Sequence, residues 1–513
     1  MGGVPSPRID VIPPATPSRG EGTPPTFSDF SFHPPVALAR TSANFPSMRR
    51  CRTLAFLILS LASILRAAEP EALLVIVGDQ HSAYERTAQF VAHIDRLRAE
   101  YPGAPLAILI DGDSLEYGNV VARRSAGVVD FAMFAALAKR APTILNLGNH
   151  DPEFYAVDDT VSRIRATGVT VISNLLNHTT HQPFAAASTR LKLGPRDAIV
   201  IGIATDDLST YRVAIRPSLD LTDPGVWAKK NFPALFASPA AISANSAEKP
   251  AAPLTILLSH AGVTADRALL PLVPDGTLFA GAHDHVRFVH STGRTVYFHS
   301  GSWLDGFSLA TLTHDATGPI WSVQTIPIAL TDPVDPGLAA LIRETSAQYL
   351  TSEDTAVIGR TARSYSPAEA ASFVTAALRD GAHTDAAIIG GTTFGAGLPA
   401  GNVTRSEFDA CVRFDGTIFI AELSGTELAA ILATTNQDAA TPFAARRGEN
   451  LVAVSRAAPL EPKRRYRLAT TDWAANHAGR YFGTDTLTFV EQPALKLKAL
   501  ALAALHSPPA PAR

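Results

Sequence analysis

The chain has 513 residues, 46% hydrophobic and 18% charged, enough to build two or three domains with complete cores. A formal net charge of −3, without any long basic block, argues against polymeric nucleic acid as a partner. Two cysteines, Cys51 and Cys411, exclude both a disulfide framework and a cysteine-rich zinc site within the chain.

Residues 1–47 are rich in Pro and Ser and carry no period, as expected of a disordered or mis-annotated extension. Residues 48–68 read as a signal peptide: the basic run Met48-Arg49-Arg50-Cys51-Arg52, the apolar stretch Leu54 to Leu65, then Arg66-Ala67-Ala68. The apolar stretch falls short of the roughly 20 residues of a membrane span. The expected product is therefore periplasmic or secreted, with no stable membrane span after cleavage; the alternative, favoured by Arg66 near the cleavage site, is an uncleaved N-terminal anchor.

From residue 71 the pattern is β-α-β-α-β: strand Leu73 to Val77, helix Ala83 to Glu100, strand Leu106 to Ile110, helix Val128 to Arg140, strand Thr143 to Leu147. Strands at Val169 to Ser173, Ala198 to Ile203, Leu254 to Leu258 and Leu278 to Ala280 continue the series, and Thr295 to Thr311 reads as a closing hairpin turning at Gly301-Ser302-Trp303. The predicted class is layered α/β. The first domain is expected over 71–330, a linker helix over 331–352 beginning at the Asp332-Pro333-Val334-Asp335-Pro336 boundary, and a smaller α/β domain over 353–506. Residues 507–513 form a Pro-rich tail.

Five apolar runs of the first domain end in Asp, Asn or His. They are Val75-Ile76-Val77-Gly78-Asp79-Gln80-His81, Ile108-Leu109-Ile110-Asp111-Gly112-Asp113, Leu145-Asn146-Leu147-Gly148-Asn149-His150-Asp151, Ile256-Leu257-Leu258-Ser259-His260 and Phe279-Ala280-Gly281-Ala282-His283-Asp284-His285. Strand ends deliver polar groups to one edge of an α/β sheet. Carboxylate, amide oxygen and imidazole suit Zn, Mn, Fe or Co. Asp79 and His81, two apart on a strand end, are expected to face one side and share a metal. With Asp113 able to bridge, and Asn149, His260, His283 and His285 added, seven ligands suffice for two divalent metal ions. His150 is then free to donate a proton to a leaving oxygen. His299, at a strand end near the same edge, is a further candidate for the pocket wall.

These motifs resemble those of the calcineurin-like metallophosphoesterases. The second half is similar to the C-terminal domain of the 5′-nucleotidase / UDP-sugar hydrolase / 2′,3′-cyclic phosphodiesterase family. That likeness is carried by Gly390-Gly391, Gly401-Asn402-Val403-Thr404, Phe414, Leu423-Ser424-Gly425-Thr426-Glu427-Leu428 and Tyr466-Arg467-Leu468-Ala469-Thr470. The resemblance implies an N-terminal four-layer metallophosphoesterase β-sandwich flanked by helices. It implies one metal on Asp79, His81, Asp113 and His285, and the other on Asp113, Asn149, His260 and His283. It implies His150 as the leaving-group histidine, steered by Asp151 or Glu153, and Phe414 and Trp473 as the pair flanking a nucleobase.

The chain departs from the family in its second domain. Gly390-Gly391 runs into Thr392-Thr393-Phe394 where an arginine is usual, and Arg413 stands where a proline precedes the phenylalanine. The segment His477-Ala478-Gly479-Arg480-Tyr481 is also altered, and Ala282 replaces a glycine. The activity implied is hydrolysis of nucleotide phosphomonoesters by a dinuclear-metal phosphohydrolase. Rival expectations are a 2′,3′-cyclic nucleotide phosphodiesterase, a nucleotide-sugar pyrophosphohydrolase, a sulfur-ester hydrolase of the same superfamily and an inactive nucleotide-binding protein.

Overall fold

The computed structural model describes residues 70–237, 253–448, 450–456 and 459–506. The expected extension 1–47, the expected signal peptide 48–68 and the tail 507–513 lie outside the described residues, as does most of the loop before His260.

Residues 72–327 form two six-stranded sheets packed face to face. In the first, β1 (Ala72–Gly78), β2 (Leu106–Asp111), β3 (Thr143–Asn146) and β4 (Thr170–Ile172) run parallel. The hairpin of β13 (Gly306–Asp315) and β14 (Gly318–Pro327) completes it by antiparallel pairing to β1. The two-residue strands β5 (Leu176–Asn177) and β8 (Leu219–Asp220) pair outside both sheets. The second sheet takes β6 (Ser188–Leu193), β7 (Arg196–Ala204), β9 (Leu254–His260), β10 (Leu278–Gly281), β11 (Arg287–Thr292) and β12 (Thr295–Ser300).

Alternation along β1 shows how the layers form. Ala72, Leu74 and Ile76 pack between the sheets with Val200, Ile256, Leu258 and Phe298. Leu73, Val75 and Val77 face the other way, against the helices. Those helices include α1 (Tyr84–Glu100), α2 (Val120–Ser125), α3 (Val128–Ala138) and α4 (Val157–Ala166). The outer face of the second sheet is covered by α5 (Pro224–Phe236) and α6 (Gly262–Leu269). Helix, sheet, sheet, helix makes the four layers. Short α2 begins just past the loop that follows β2, where the Asn119 side chain caps the amides of Val121 and Ala122.

The expected closing hairpin over 295–311 does not form. β12 ends in the second sheet and β13 begins in the first, so the segment between them crosses the sandwich. Gly301, Trp303 and Leu304 take left-handed backbone there, and Trp303 N donates to Asp79 O at 2.8 Å, which anchors the crossing beside the end of β1.

Helix α7 (Pro336–Tyr349), capped by the Asp335 side chain, packs on the helical layer of the first domain through Leu338, Leu341 and Ile342. The second domain holds the sheet β19-β16-β20-β18-β21, formed by β16 (Ala386–Gly390), β18 (Thr417–Ser424), β19 (Leu451–Ser455), β20 (Arg465–Thr471) and β21 (Phe489–Lys496). A smaller ladder joins β15 (Val357–Thr361) and β17 (Gly401–Thr404). The two domains share a compact body. Arg480 pairs with Asp207 at 2.8 Å, Phe443 stacks on His290 at 4.4 Å, and Arg267 donates to the carbonyls of Phe443 and Arg446. No described helix is long and apolar enough to cross a membrane.

Between the sheets, buried Asn146 at the end of β3 donates to Asp111 and to the carbonyls of Ile203 and Leu258. It is the polar bolt of an otherwise apolar interface. Asn146→Ala leaves those acceptors unpaired and is expected to lower unfolding free energy by about 2–3 kcal/mol, read from urea denaturation at unchanged slope.

Candidate metal centre

All seven ligand candidates come together at the C-terminal edge of the two sheets, supplied by the ends of β1, β2, β3, β9 and β10. Asp79, His81, Asp113, Asn149 and His260 are buried, and all but Asp79 and His260 line one cleft with His283 and His285. Six of them form two of the three groups of possible cation ligands among the described residues, the third being His81, Glu116 and His150, while Asn149 lies beside His283. Asp79, His81 and His285 converge in the first, and Asp113, His260 and His283 in the second.

The convergence is built from turns rather than from strand geometry. Asp79, His81, Asp113, His283 and His285 all have positive φ, between 50° and 81°. A strand's same-face rule therefore does not explain Asp79 and His81. Left-handed backbone brings His81 Nε2 to 4.0 Å from Asp79 Oδ1 instead. Such conformations cost free energy in non-glycine residues and persist where surrounding structure imposes them. The motif glycines make room. A Cβ on Gly112 would meet His260 Nδ1 at 2.5 Å, and one on Gly148 would meet Asp113 Oδ1 at 2.3 Å. Ala282 is accommodated because Gly78 opposite it has no side chain: a Cβ there would lie 2.8 Å from the Ala282 methyl.

The donor atoms meet as cation ligands do. His81 Nε2 and His285 Nε2 face each other at 2.8 Å. His260 Nε2 lies 3.0 Å from Asp113 Oδ2, while the other ring nitrogen, Nδ1, is held by Asp111 O at 2.7 Å. His283 Nδ1 lies 2.9 Å from Asn149 Oδ1, and the Asn149 amide nitrogen is held by Thr210 O at 3.2 Å. Burial pushes the Asp79 carboxyl well above its ordinary pKa, against the pull of His260 and with the push of Asp113. Buried carboxylates crowded in this way are stabilised by a bound cation. The donor set fits divalent metal.

At the rim, His150 Nδ1 lies 2.6 Å from Glu153 Oε1, and His150 N donates to Asp113 Oδ1 at 2.7 Å. Burial opposes protonation of His150, yet the charges of Asp113, Glu116 and Glu153 raise its pKa well above the ordinary value. Asp151 does not reach the imidazole. Its carboxylate accepts the backbone amides of Asp113, Ser114 and Gly148 and so ties the two motif turns together. His299 does not line the cleft; it lies beneath, bonded to Asp266 and Tyr297.

The cleft has a volume of about 790 Å³ and is shared with the second domain, which brings Arg413, Phe414, Trp473 and Arg480 to it. Phe414 and Trp473 remain 41% and 40% exposed, high for large aromatic side chains lining a cavity. Trp473 Nε1 donates to Tyr481 Oη at 2.8 Å, and its ring packs on His477.

Two participants are not evident from the sequence. Glu116, in the loop after β2, places Oε2 3.1 Å from His81 Nδ1 while Oε1 accepts Gly118 N. Trp303 packs against His81 at 4.5 Å and His285 at 5.7 Å. Glu116 lies three residues past Asp113, within reach of a motif that the strand-end pattern marks. Trp303 carries no local signal, since only the sheet crossing brings it there.

Comparison with known proteins accords with this geometry. A profile described as calcineurin-like phosphoesterase matches residues 72–287, and one described as 5′-nucleotidase, C-terminal domain, matches residues 348–484. A 5′-nucleotidase precursor of Thermus thermophilus is similar at 17% identity and TM-score 0.54, over 85% of this chain and 96% of that one. The sulfate thiohydrolase SoxB of Thermus thermophilus is similar at 14% identity and TM-score 0.57, over 86% and 94%. A 5′-nucleotidase of Candida albicans is similar at 13% identity and TM-score 0.53, over 86% and 98%. At these identities the structures speak for the fold. A search of the curated proteins finds no match by sequence. With both profiles in register on the two halves of this fold, the chain belongs to the calcineurin-like metallophosphoesterases of the two-domain 5′-nucleotidase type, which are metal-dependent phosphoester hydrolases.

Proposed function

We propose that the chain is a dinuclear-metal hydrolase of nucleotide phosphomonoesters. Asp79, His81, Asp113 and His285 hold one divalent ion, and Asp113, Asn149, His260 and His283 hold the other. The observation that carries this reading is the pair of adjacent donor groups, Asp79–His81–His285 and Asp113–His260–His283, with a braced His150 beside them and two half-exposed aromatic side chains in the same cleft. When bound, such a metal pair lowers the pKa of water and neutralises charge on phosphoryl oxygens.

The chain's own residues supply the rest. Glu153 binds His150 Nδ1, which fixes the tautomer and leaves Nε2 to protonate the departing oxygen. Arg212 donates to Glu153 O at 2.6 Å and steadies that turn. Phe414 and Trp473 offer apolar faces to a nucleobase. The domain limits of this reading are 71–330 and 353–506, and the matched profiles run over 72–287 and 348–484, the second beginning inside the expected linker. Export to the periplasm or outside the cell rests on residues 48–68, and N-terminal sequencing of the product from a cell envelope fraction checks it, since a retained Met48 would refute cleavage.

The deciding assay is phosphate release from AMP, UDP-glucose, a 2′,3′-cyclic nucleotide and a nitrophenyl phosphodiester, each with Mn²⁺ or Zn²⁺. AMP is expected to turn over. Turnover of the diester alone refutes the nucleotide assignment. With two metals bound and no phosphoester hydrolysed, the sulfur-ester reading replaces it. His150→Ala is expected to lower kcat for AMP by about 10²–10⁴-fold with both metals retained by elemental analysis. Trp473→Ala or Phe414→Ala is expected to raise KM for AMP about tenfold, with KM for nitrophenyl phosphate unchanged, as loss of one stacking face predicts.

A further inference from the structure

Arg413 has no role in the chemistry described so far, and its surroundings are unusual. It comes from the second domain, two residues past the end of α8 (Arg405–Cys411), and is 5% exposed. Among the described residues its three guanidinium nitrogens have no hydrogen-bond partner, and they are sealed from solvent. A buried cation in that condition is costly, so the contacts that it does keep are informative. Its guanidinium lies 4.4 Å from the centre of the Trp303 ring. Burial lowers its pKa, and Glu116 is the foremost charge acting in the opposite direction.

Room for this side chain is built into the second domain. A Cβ on Gly395 would meet Arg413 Nε at 2.7 Å, and Arg413 N donates to Thr393 O at 2.9 Å, tying it to the loop after Gly391. Two of the first-domain residues beside it act on one metal ligand. Trp303 packs on the His81 ring, and Glu116 holds His81 Nδ1. Trp303 also packs on His285 of the same donor group. Arg413 thus lines the cleft while its guanidinium nitrogens face Trp303 and the protein interior rather than solvent.

We propose that Arg413 is a positioning residue through which docking of the second domain sets the metal affinity of the Asp79–His81–His285 group. It packs its planar face on Trp303 and shares with Glu116 the space beside Gly118, and Trp303 and Glu116 in turn fix the His81 ring as a carboxylate partner fixes a ligating imidazole. The inference rests on the dinuclear-metal reading of the site but is independent of the substrate assigned.

The test is calorimetric titration of the chelator-stripped chain with Mn²⁺, comparing wild type with Arg413→Met, Arg413→Lys, Glu116→Gln and Asp79→Ala. Wild type is expected to bind two ions. Arg413→Met is expected to weaken by about tenfold only the step that Asp79→Ala also weakens, and Arg413→Lys to weaken that step less. Combined with Glu116→Gln, the loss should be smaller than the product of the single effects, since both act on His81. Unchanged affinities in Arg413→Met, or equal weakening of both steps, overturn the proposal. Should Arg413→Met fail to fold by circular dichroism, Arg413→Lys carries the test, and unchanged affinities in it overturn the proposal equally. A wild-type chain that takes up no Mn²⁺ overturns the metal centre and this inference together.

Discussion

The structure turns on the placement of one carboxylate. Asp113 sits in a left-handed turn just past β2, with one oxygen accepting the His150 amide and the other facing His260. That position requires the absence of a Cβ at Gly148, the left-handed glycine at 112, and the Asp151 carboxylate gathering the amides of Asp113, Ser114 and Gly148. Two strand-end loops that are far apart in the chain are thereby locked to one another. The sandwich beneath, bolted by Asn146, keeps β9 and β10 at the height where their histidines meet the same carboxylate. Fold and site are thus a single mechanical problem: the layers set the height and the turns set the aim.

Much of this is legible in the order of residues. Apolar runs of five or six residues, each closing in Asp, Asn or His, announce both a parallel sheet and its busy edge. Helix starts in the second domain are equally readable, because Ser366, Thr404 and Ser424 each pair reciprocally with a glutamate three residues on. What is not legible depends on distance in the chain. Gly301-Ser302-Trp303 looks like a hairpin turn, since local sequence cannot distinguish a chain that doubles back from one that changes sheets. Trp303 and Arg413 owe their place at the site to that crossing and to domain docking, neither of which leaves a local pattern. Asp79 and His81 do converge, but not by alternation: that rule describes strands, and these residues lie just beyond one.

The second domain differs most from its relatives, and the structure gives those differences a shape. The loop after Gly391 carries threonines and is bonded to the segment that presents Arg413. A positive charge thus enters the interface from a neighbouring position, sealed under an indole. The cleft above it keeps aromatic faces and a mixed rim of arginines and aspartates. Catalytic machinery built on strand ends tolerates such variation, because loops and a second domain can change while the sheet edge stays fixed.

The pairing of β1 has a bearing on how this protein comes into being. Its residue 72 lies beside residue 312, while its other edge is satisfied much sooner by β2. The earliest strand of the catalytic sandwich thus remains an open edge until nearly the whole of that domain has been synthesised. Assembly of the first sheet is ruled by a late, long-range closure, the kind of topology that folds slowly. Throughout that interval β1, an uninterrupted apolar run, is the segment most exposed to pairing with the wrong partner. Quality of production, more than stability of the finished molecule, is where this architecture is most vulnerable.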